Sequence, residues 1–237
     1  MQNRILSACK TLRNFSILAI IITTPLIGIA IAQHTAPASS TWNVGSIIKK
    51  LRQQGYWVDT ADSPLKIKNK FAIIAFQKVT GLKRDGILTD QVASEIMRST
   101  APAIKDSSHS LHIEIDLNKQ ILFVIDSTDS IIHILPVSTG NGKQFLYPDK
   151  GLEYARTPRG RFKIYCKIKG WKESELGLLY DPLYIKGGFA IHGASEVPSY
   201  PASHGCIRIP LFAADSLYAL APIGTAVVIF GTNPSPN

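Results

Sequence analysis

The chain has 237 residues, 45% hydrophobic and 18% charged, with a formal net charge of +9 at pH 7. That is enough apolar material for one large or two small packed domains and too much for a disordered chain. Diffuse positive charge favours a polyanionic surface such as anionic lipid or a bacterial wall polymer. No basic run interleaved with aromatics occurs, which argues against nucleic acid as a partner.

Residues 1–32 read as a targeting segment. Arg4, Lys10 and Arg13 give a positive start, Phe15 to Ala32 is almost wholly apolar, and Ala30-Ile31-Ala32 is a small-x-small cleavage site. The run suits a long signal peptide or a short membrane anchor, and Pro25 and Gly28 favour the cleaved form. Either form puts the bulk of the protein outside the cytoplasm, in the periplasm or cell envelope. Only an uncleaved segment gives it a membrane partner.

A polar linker at 33–41 leads into 42–99, where three short helices are predicted. Val44, Ile47, Ile48 and Leu51 repeat at helical spacing and Gly55 comes next as a stop. Asn69 to Val79 gives a second helix, with Phe71, Ile74, Ala75 and Lys78 on one stripe and Gly81 at its end. Lys83-Arg84-Asp85-Gly86 is a turn, and Thr89 caps a third helix through Met97. A second linker, 101–109, suggests that the helices form a module separable from the C-terminal half of the chain.

From Leu111 the period becomes two. Leu111, Ile113, Ile115 and Leu117 alternate with His112, Glu114 and Asp116, and Asn118-Lys119 turns the chain into Ile121–Ile125. Further strands are expected at Ile131–Val137, Arg161–Ile168, Tyr184–Ile191 (broken by Gly187-Gly188) and Ala226–Phe230, with one helix at Leu211–Leu220. Many short strands with one helix argue for a mainly β, sandwich- or barrel-like domain, preceded by the small three-helix domain.

Cys9 belongs to the leader, which leaves Cys166 and Cys206. A disulfide is the ordinary expectation for two cysteines in an oxidising compartment. Cys166, however, alternates with Phe162, Ile164 and Ile168, so it reads as an unreactive residue on a core face. Cys206 lies in Ser203-His204-Gly205-Cys206-Ile207-Arg208, downstream of His192-Gly193, and reads as a free thiol. Alternation sends Phe189 and Ile191 to the core and leaves His192 at a strand end, and the loop between is long enough to bring His192 back over Cys206. A nearby imidazole can take the thiol proton, make a thiolate and return the proton to a leaving amine. Gly193 and Gly205 admit close backbone approach, and N–H groups near Gly205 and Cys206 suit an oxyanion hole. A zinc site from His192, His204 and Cys206 lacks a fourth ligand, so neither metal nor cofactor is expected. The order, histidine before cysteine, is the reverse of papain-like proteases.

These motifs carry two resemblances. Residues 42–99 resemble a peptidoglycan-binding domain through Leu51, Gly55-Tyr56, Ala75-Phe76-Gln77, Gly81-Leu82, Asp85-Gly86-Ile87 and Thr89, departing from it at Asp62-Ser63-Pro64. Residues 110–231 resemble the catalytic domain of the L,D-transpeptidases, the YkuD-type fold. His192-Gly193 and Ser203 to Arg208 carry the signature, supported by Ser138-Thr139-Gly140, Thr157-Pro158-Arg159-Gly160-Arg161-Phe162 and Gly224 to Ile229. The resemblance implies Cys206 as nucleophile and His192 as general base, oriented by the carbonyl of Gly193. It implies that His204 and Gly205 shape the oxyanion site, that Ser203 steadies the loop, and that Arg208 steadies it too or meets a substrate carboxylate. The implied partners are peptidoglycan stem peptides and the wall polymer, and the implied activity is cross-linking after release of a terminal D-alanine.

Overall fold

A computed structural model describes residues 42–58, 67–147 and 151–235. The leader with its cleavage motif, and Asp62-Ser63-Pro64, lie outside the described residues. Among the described residues no helix is long and apolar enough to cross a membrane.

Helix α1 (Val44–Gln53) starts at Asn43, whose side chain accepts from the Ser46 amide at 3.1 Å. Helix α2 (Ile67–Thr80) stops at Gly81, which takes a φ of +76° that only glycine adopts without strain. Helix α3 (Asp90–Arg98) starts at Thr89, whose hydroxyl accepts from the Val92 amide at 3.2 Å. The buried arc of α2 is wider than the stripe read from sequence. It turns in Asn69, Ala72, Ile73, Ala75, Phe76, Gln77 and Lys78 and leaves Phe71 and Ile74 half-buried, because both α1 and strand β3 (Ile131–Pro136) pack against it. The motif residues serve the layer itself. The Gln77 side chain accepts from the Gly86 amide at 2.8 Å and donates to Asp85 Oδ1 at 3.0 Å, tying α2 to the loop before α3.

Strands β1 (His112–Asp116), β2 (Ile121–Ile125), β6 (Gly160–Lys163) and β12 (Ala226–Phe230) join β3 in a sheet of order β3-β2-β1-β12-β6. A second sheet has the order β11-β10-β9-β7. Its strands are β7 (Cys166–Lys167), β9 (Gly177–Lys186), β10 (Phe189–Ala194) and β11 (Ile207–Pro210), with β8 (Trp171–Ser174) paired to β9. Strands β4 (Gln144–Tyr147) and β5 (Gly151–Tyr154) form a separate hairpin. Ile113, Ile115, Leu122, Val124 and Val227 of the first sheet meet Leu183, Ile191, Ile207 and Ile209 of the second. Helix α4 (Leu211–Leu220) adds Ala213, Ala214 and Leu217 to the same core.

The other face of the first sheet is also covered. Ile121, Phe123, Ile125 and Ile134 share a second core with Ile47, Ile48, Leu51, Ile73, Phe76, Val92 and Ile96 of the three helices. The linker at 101–109 is therefore not a break in packing. It is strapped to β1, where buried Glu114 accepts the amides of Lys105 at 2.8 Å and Asp106 at 2.6 Å. The polar side of β1 is buried as well, at both His112 and Glu114.

One strand reading needs correction and another is sharpened. The alternation from Arg161 to Ile168 spans two strands, because the chain leaves the first sheet after Lys163 and enters the second at Cys166. Cys166 then pairs with Tyr184, so it shares the face of that ring and not the core face of Ile164; it is half-buried. The break expected at Gly187-Gly188 is a full reversal: Tyr184 lies in one strand and Ile191 in the next, with Gly187 at φ +50°.

Candidate active site

Strands β10 and β11 run parallel, with Ile191 opposite Ile207 and His192 opposite Arg208. Cys206 immediately precedes β11, so His192 and Cys206 stand at neighbouring strands of one sheet. Both line a cavity of about 670 Å³ together with Ser203, His204 and Arg208. Its walls are completed by Phe145 and Tyr147 of β4, Tyr154 of β5, Trp171 of β8, Tyr184 of β9 and Phe189. Phe189, expected in the core, lines this cavity. The ladder shifts register between Phe189 and Ala190, and that irregularity frees the ring from the alternation of β10.

His192 is 5% exposed, and its Nδ1 lies 2.9 Å from the carbonyl oxygen of Gly193. A carbonyl only accepts, so this contact assigns the proton to Nδ1 and leaves Nε2 as an acceptor. Burial, opposed by the Gly193 bond and reinforced by the Arg208 charge, lowers the His192 pKa to about 4. The imidazole is therefore neutral near pH 7. Gly193 itself has no room for a side chain, since a Cβ there would lie 2.8 Å from the Ala214 Cβ.

Cys206 is half-buried and unpaired, as is Cys166, and its Sγ approaches the Gly188 carbonyl at 3.7 Å. Burial pushes its thiol above the usual range, against smaller opposite pulls from the Ala190 amide and the Arg208 charge. The resting pair is thus thiol and neutral imidazole, not the standing thiolate expected from the motif alone. His204 is exposed, with its ring 4.6 Å from that of Phe145, and partial burial with the Arg208 charge lowers its pKa. Arg208 is half-buried, and among the described residues its guanidinium has no carboxylate partner. No three His, Cys, Asp or Glu side chains are grouped as a metal would require, again among the described residues.

The cysteine segment is fixed mostly through backbone. The Ser203 hydroxyl donates to the Cys206 carbonyl at 2.6 Å and accepts from the Gly205 amide at 3.0 Å. The Gly205 N–H is therefore engaged, contrary to the expectation that it points at a substrate oxyanion. Gly205 has φ +134°, and a Cβ there would lie 2.6 Å from the Phe189 ring. Its carbonyl accepts the Thr157 hydroxyl at 2.8 Å, and that hydroxyl accepts the Gly140 amide at 2.9 Å. Ser138 exchanges two backbone bonds with Arg208, at 3.0 and 3.1 Å, and the Thr139 carbonyl accepts the Ser203 amide at 2.9 Å.

Sequence marks Ser138, Thr139 and Thr157 only as family signature; in the fold their work is to brace the loop. Sequence reasoning misses the β4–β5 hairpin altogether. The one signal for it is the pair of apolar alternations Phe145/Tyr147 and Leu152/Tyr154 on either side of the sequence Pro-Asp-Lys-Gly.

A profile of the YkuD L,D-transpeptidase catalytic domain matches residues 110–229. The L,D-transpeptidase of Xylanimonas cellulosilytica is similar in structure, with 36% identity, a TM-score of 0.74, and coverage of 81% of this chain and 95% of that one. An L,D-transpeptidase from Stackebrandtia nassauensis aligns at 21% identity and a TM-score of 0.48, over 80% of this chain and 91% of that one. A comparison with curated proteins gave no match. On the profile match and the Xylanimonas likeness, the chain belongs to the YkuD-type L,D-transpeptidase family of cell-wall enzymes.

Proposed function

We propose that this protein is an exported L,D-transpeptidase that cross-links peptidoglycan through a thioacyl-enzyme on Cys206. The observation that carries the reading is the neutral His192, held by the Gly193 carbonyl with Nε2 free to accept, in the same cavity as Cys206. Nε2 takes the thiol proton as Sγ attacks the carbonyl that joins the L-centre of a diamino acid to a terminal D-alanine. The tetrahedral intermediate collapses, the C–N bond breaks, and the imidazolium returns its proton to the departing D-alanine. An amine from a neighbouring stem then attacks the thioester and gives its proton to His192, and Sγ leaves and is reprotonated. Because the resting pair is neutral, proton transfer and attack are coupled.

With the Gly205 amide held by Ser203, the donor assigned to the oxyanion is the Cys206 amide, and His204 and Gly205 shape the space around it. Arg208, with its free guanidinium in the cavity, is assigned to a substrate carboxylate. Water as the acceptor would make the enzyme an L,D-carboxypeptidase, and a lipoprotein amine would make it an anchoring enzyme. Intact-mass spectrometry after incubation with a carbapenem tests the first half-reaction, since only a competent Cys206 acquires the adduct. Muropeptide analysis with purified protein tests the second. A protein that never acylates leaves only a non-catalytic, wall-binding reading.

A further inference from the structure

Lys78 is a cation where a hydrophobe would pack. It is 1% exposed, on the face of α2 that meets the first sheet, among Ala75, Phe76 and Ile73. No carboxylate pairs with it among the described residues. Its Nζ donates to two backbone carbonyls, Val137 at 2.8 Å and Gln120 at 3.2 Å. Burying an amine costs free energy that a methionine of similar size would not. Burial and the neighbouring Arg84 charge lower its pKa to about 7, and the neutral amine still has two N–H groups, one for each carbonyl.

Those two carbonyls stand at the root of the loop that grips the cysteine segment. Val137 immediately precedes Ser138. Gln120 sits in a left-handed turn at φ +61°, and its side chain clamps Thr139, accepting from the amide at 2.9 Å and donating to the hydroxyl at 2.7 Å. The Gln120 carbonyl also accepts the Val137 amide at 2.9 Å. Beyond that clamp Ser138 pairs with Arg208 and Thr139 with Ser203, the residues on either side of Cys206.

We infer that Lys78 is a positioning residue: from the helical layer it pins the carbonyls of Gln120 and Val137, which sets the place of Ser138-Thr139 and through them of Cys206 against His192. The three helices are on this account a working part of the enzyme. The catalytic arm of the test rests on the function proposed above; the exchange arm does not.

The experiment compares the full chain with Lys78→Met and Lys78→Gln. Lys78→Met should keep an unfolding midpoint close to the parent's. Its amides at Ser138, Ser203 and Arg208 should exchange with deuterium faster, while Ile113 and Val227 in the first sheet keep their protection. Acylation of Cys206 by a carbapenem should slow roughly tenfold at saturation, with half-saturation unchanged, as a misplaced nucleophile predicts. Lys78→Gln retains an N–H donor and should recover part of the rate. Unchanged exchange at those three amides with unchanged acylation would overturn the inference. So would uniform loss of protection across both cores, or failure of both variants to fold, since each makes the lysine a general stability element. A parent protein that does not acylate defeats the proposed function, and the exchange pattern still decides the role of Lys78.

Discussion

Of the side chains around the cavity, His192, Cys206 and Arg208 have few partners of their own. His192 touches one carbonyl, Cys206 approaches another at 3.7 Å, and Arg208 meets no carboxylate among the described residues. Ser138, Thr139 and Thr157, which do not line the cavity, hold that segment in place. In the helical layer the buried glutamines are bonded on the inside. Gln77 closes the loop before α3, and Gln54 donates to the Ser99 carbonyl at 2.8 Å and to its hydroxyl at 2.9 Å. A polar group with an unmet hydrogen-bonding capacity at a cavity is open to a ligand, whereas one with its capacity met is part of the scaffold. By that measure the glutamine of the peptidoglycan-binding-like motif is scaffold, and the groups open to a ligand sit around the second sheet.

The sharpest test of this contrast is Cys206→Ala. It should remove the carbapenem adduct and all turnover while leaving the unfolding midpoint nearly unchanged, because the thiol makes only weak contacts, with the Gly188 carbonyl at 3.7 Å and the Ala190 amide. Measurable turnover in the variant would move the nucleophile elsewhere. Deleting residues 42–99 is the opposite experiment. It strips the cover from Ile121, Phe123, Ile125 and Ile134, none more than 4% exposed, so the remainder should be recovered as insoluble protein. Soluble yield and far-UV circular dichroism read the outcome. A folded and fully active remainder would restore the separable module suggested by the linker composition, and would break the contrast drawn here.

Smaller effects separate the two histidines. His192→Ala should slow acylation by ~10²–10⁴-fold, the usual range for a lost general base. His204→Ala, which gives up a ring contact with Phe145 on the exposed rim, should cost less than about tenfold. Stopped-flow acylation rates decide between them, and a larger loss at His204 would exchange the two roles.

How much of this is legible in the sequence depends on distance along the chain. The hairpin between β1 and β2 and the caps at Thr89 and Gly81 are local, and local spacing shows them; the pairing of His192 with the Gly193 carbonyl is also local, but it is implied by the family resemblance alone. The run from Arg161 to Ile168 misleads because a chain that crosses from one sheet to another keeps its alternation while changing which face is the core. The β4–β5 hairpin stays hidden because it adds nothing to either core: β5 is exposed and β4 only half-buries Phe145 and Tyr147 against the cavity, so its short alternation reads as an ordinary surface loop. β1 shows the limit of reading alternation as burial. Its polar residues His112 and Glu114 are covered by a linker whose path no periodicity reveals. Helical spacing puts Lys78 on the inward stripe of α2, yet only the folded chain shows that carbonyls from residues 42 and 59 positions away are what it meets.

The last and smallest expected effect is thermodynamic, and it reads the protonation state on which the mechanism depends. The His192 pKa falls from 6.5 to about 4 on folding, chiefly through burial. Between those values the unfolded chain binds more protons than the folded one, so stability rises with pH across the window. The contribution is complete above about pH 6.5 and is lost as pH falls toward 4, with an upper bound of about 3 kcal/mol. His133 and His204 are shifted the same way by burial, so the total acid sensitivity belongs to all three. The difference between the parent and His192→Gln isolates one of them, since glutamine does not titrate and its amide can still donate to the Gly193 carbonyl. Urea unfolding at intervals from pH 7.5 to 4.5 should show the parent losing stability faster than the variant, with the two curves parallel only above pH 6.5. Parallel curves throughout would mean that His192 keeps its unfolded pKa of about 6.5 in the folded state, so that it gains a proton as pH falls below that value. A protonated imidazole cannot take the proton of Cys206, so the same measurement bears on the catalytic role of His192 without any substrate present.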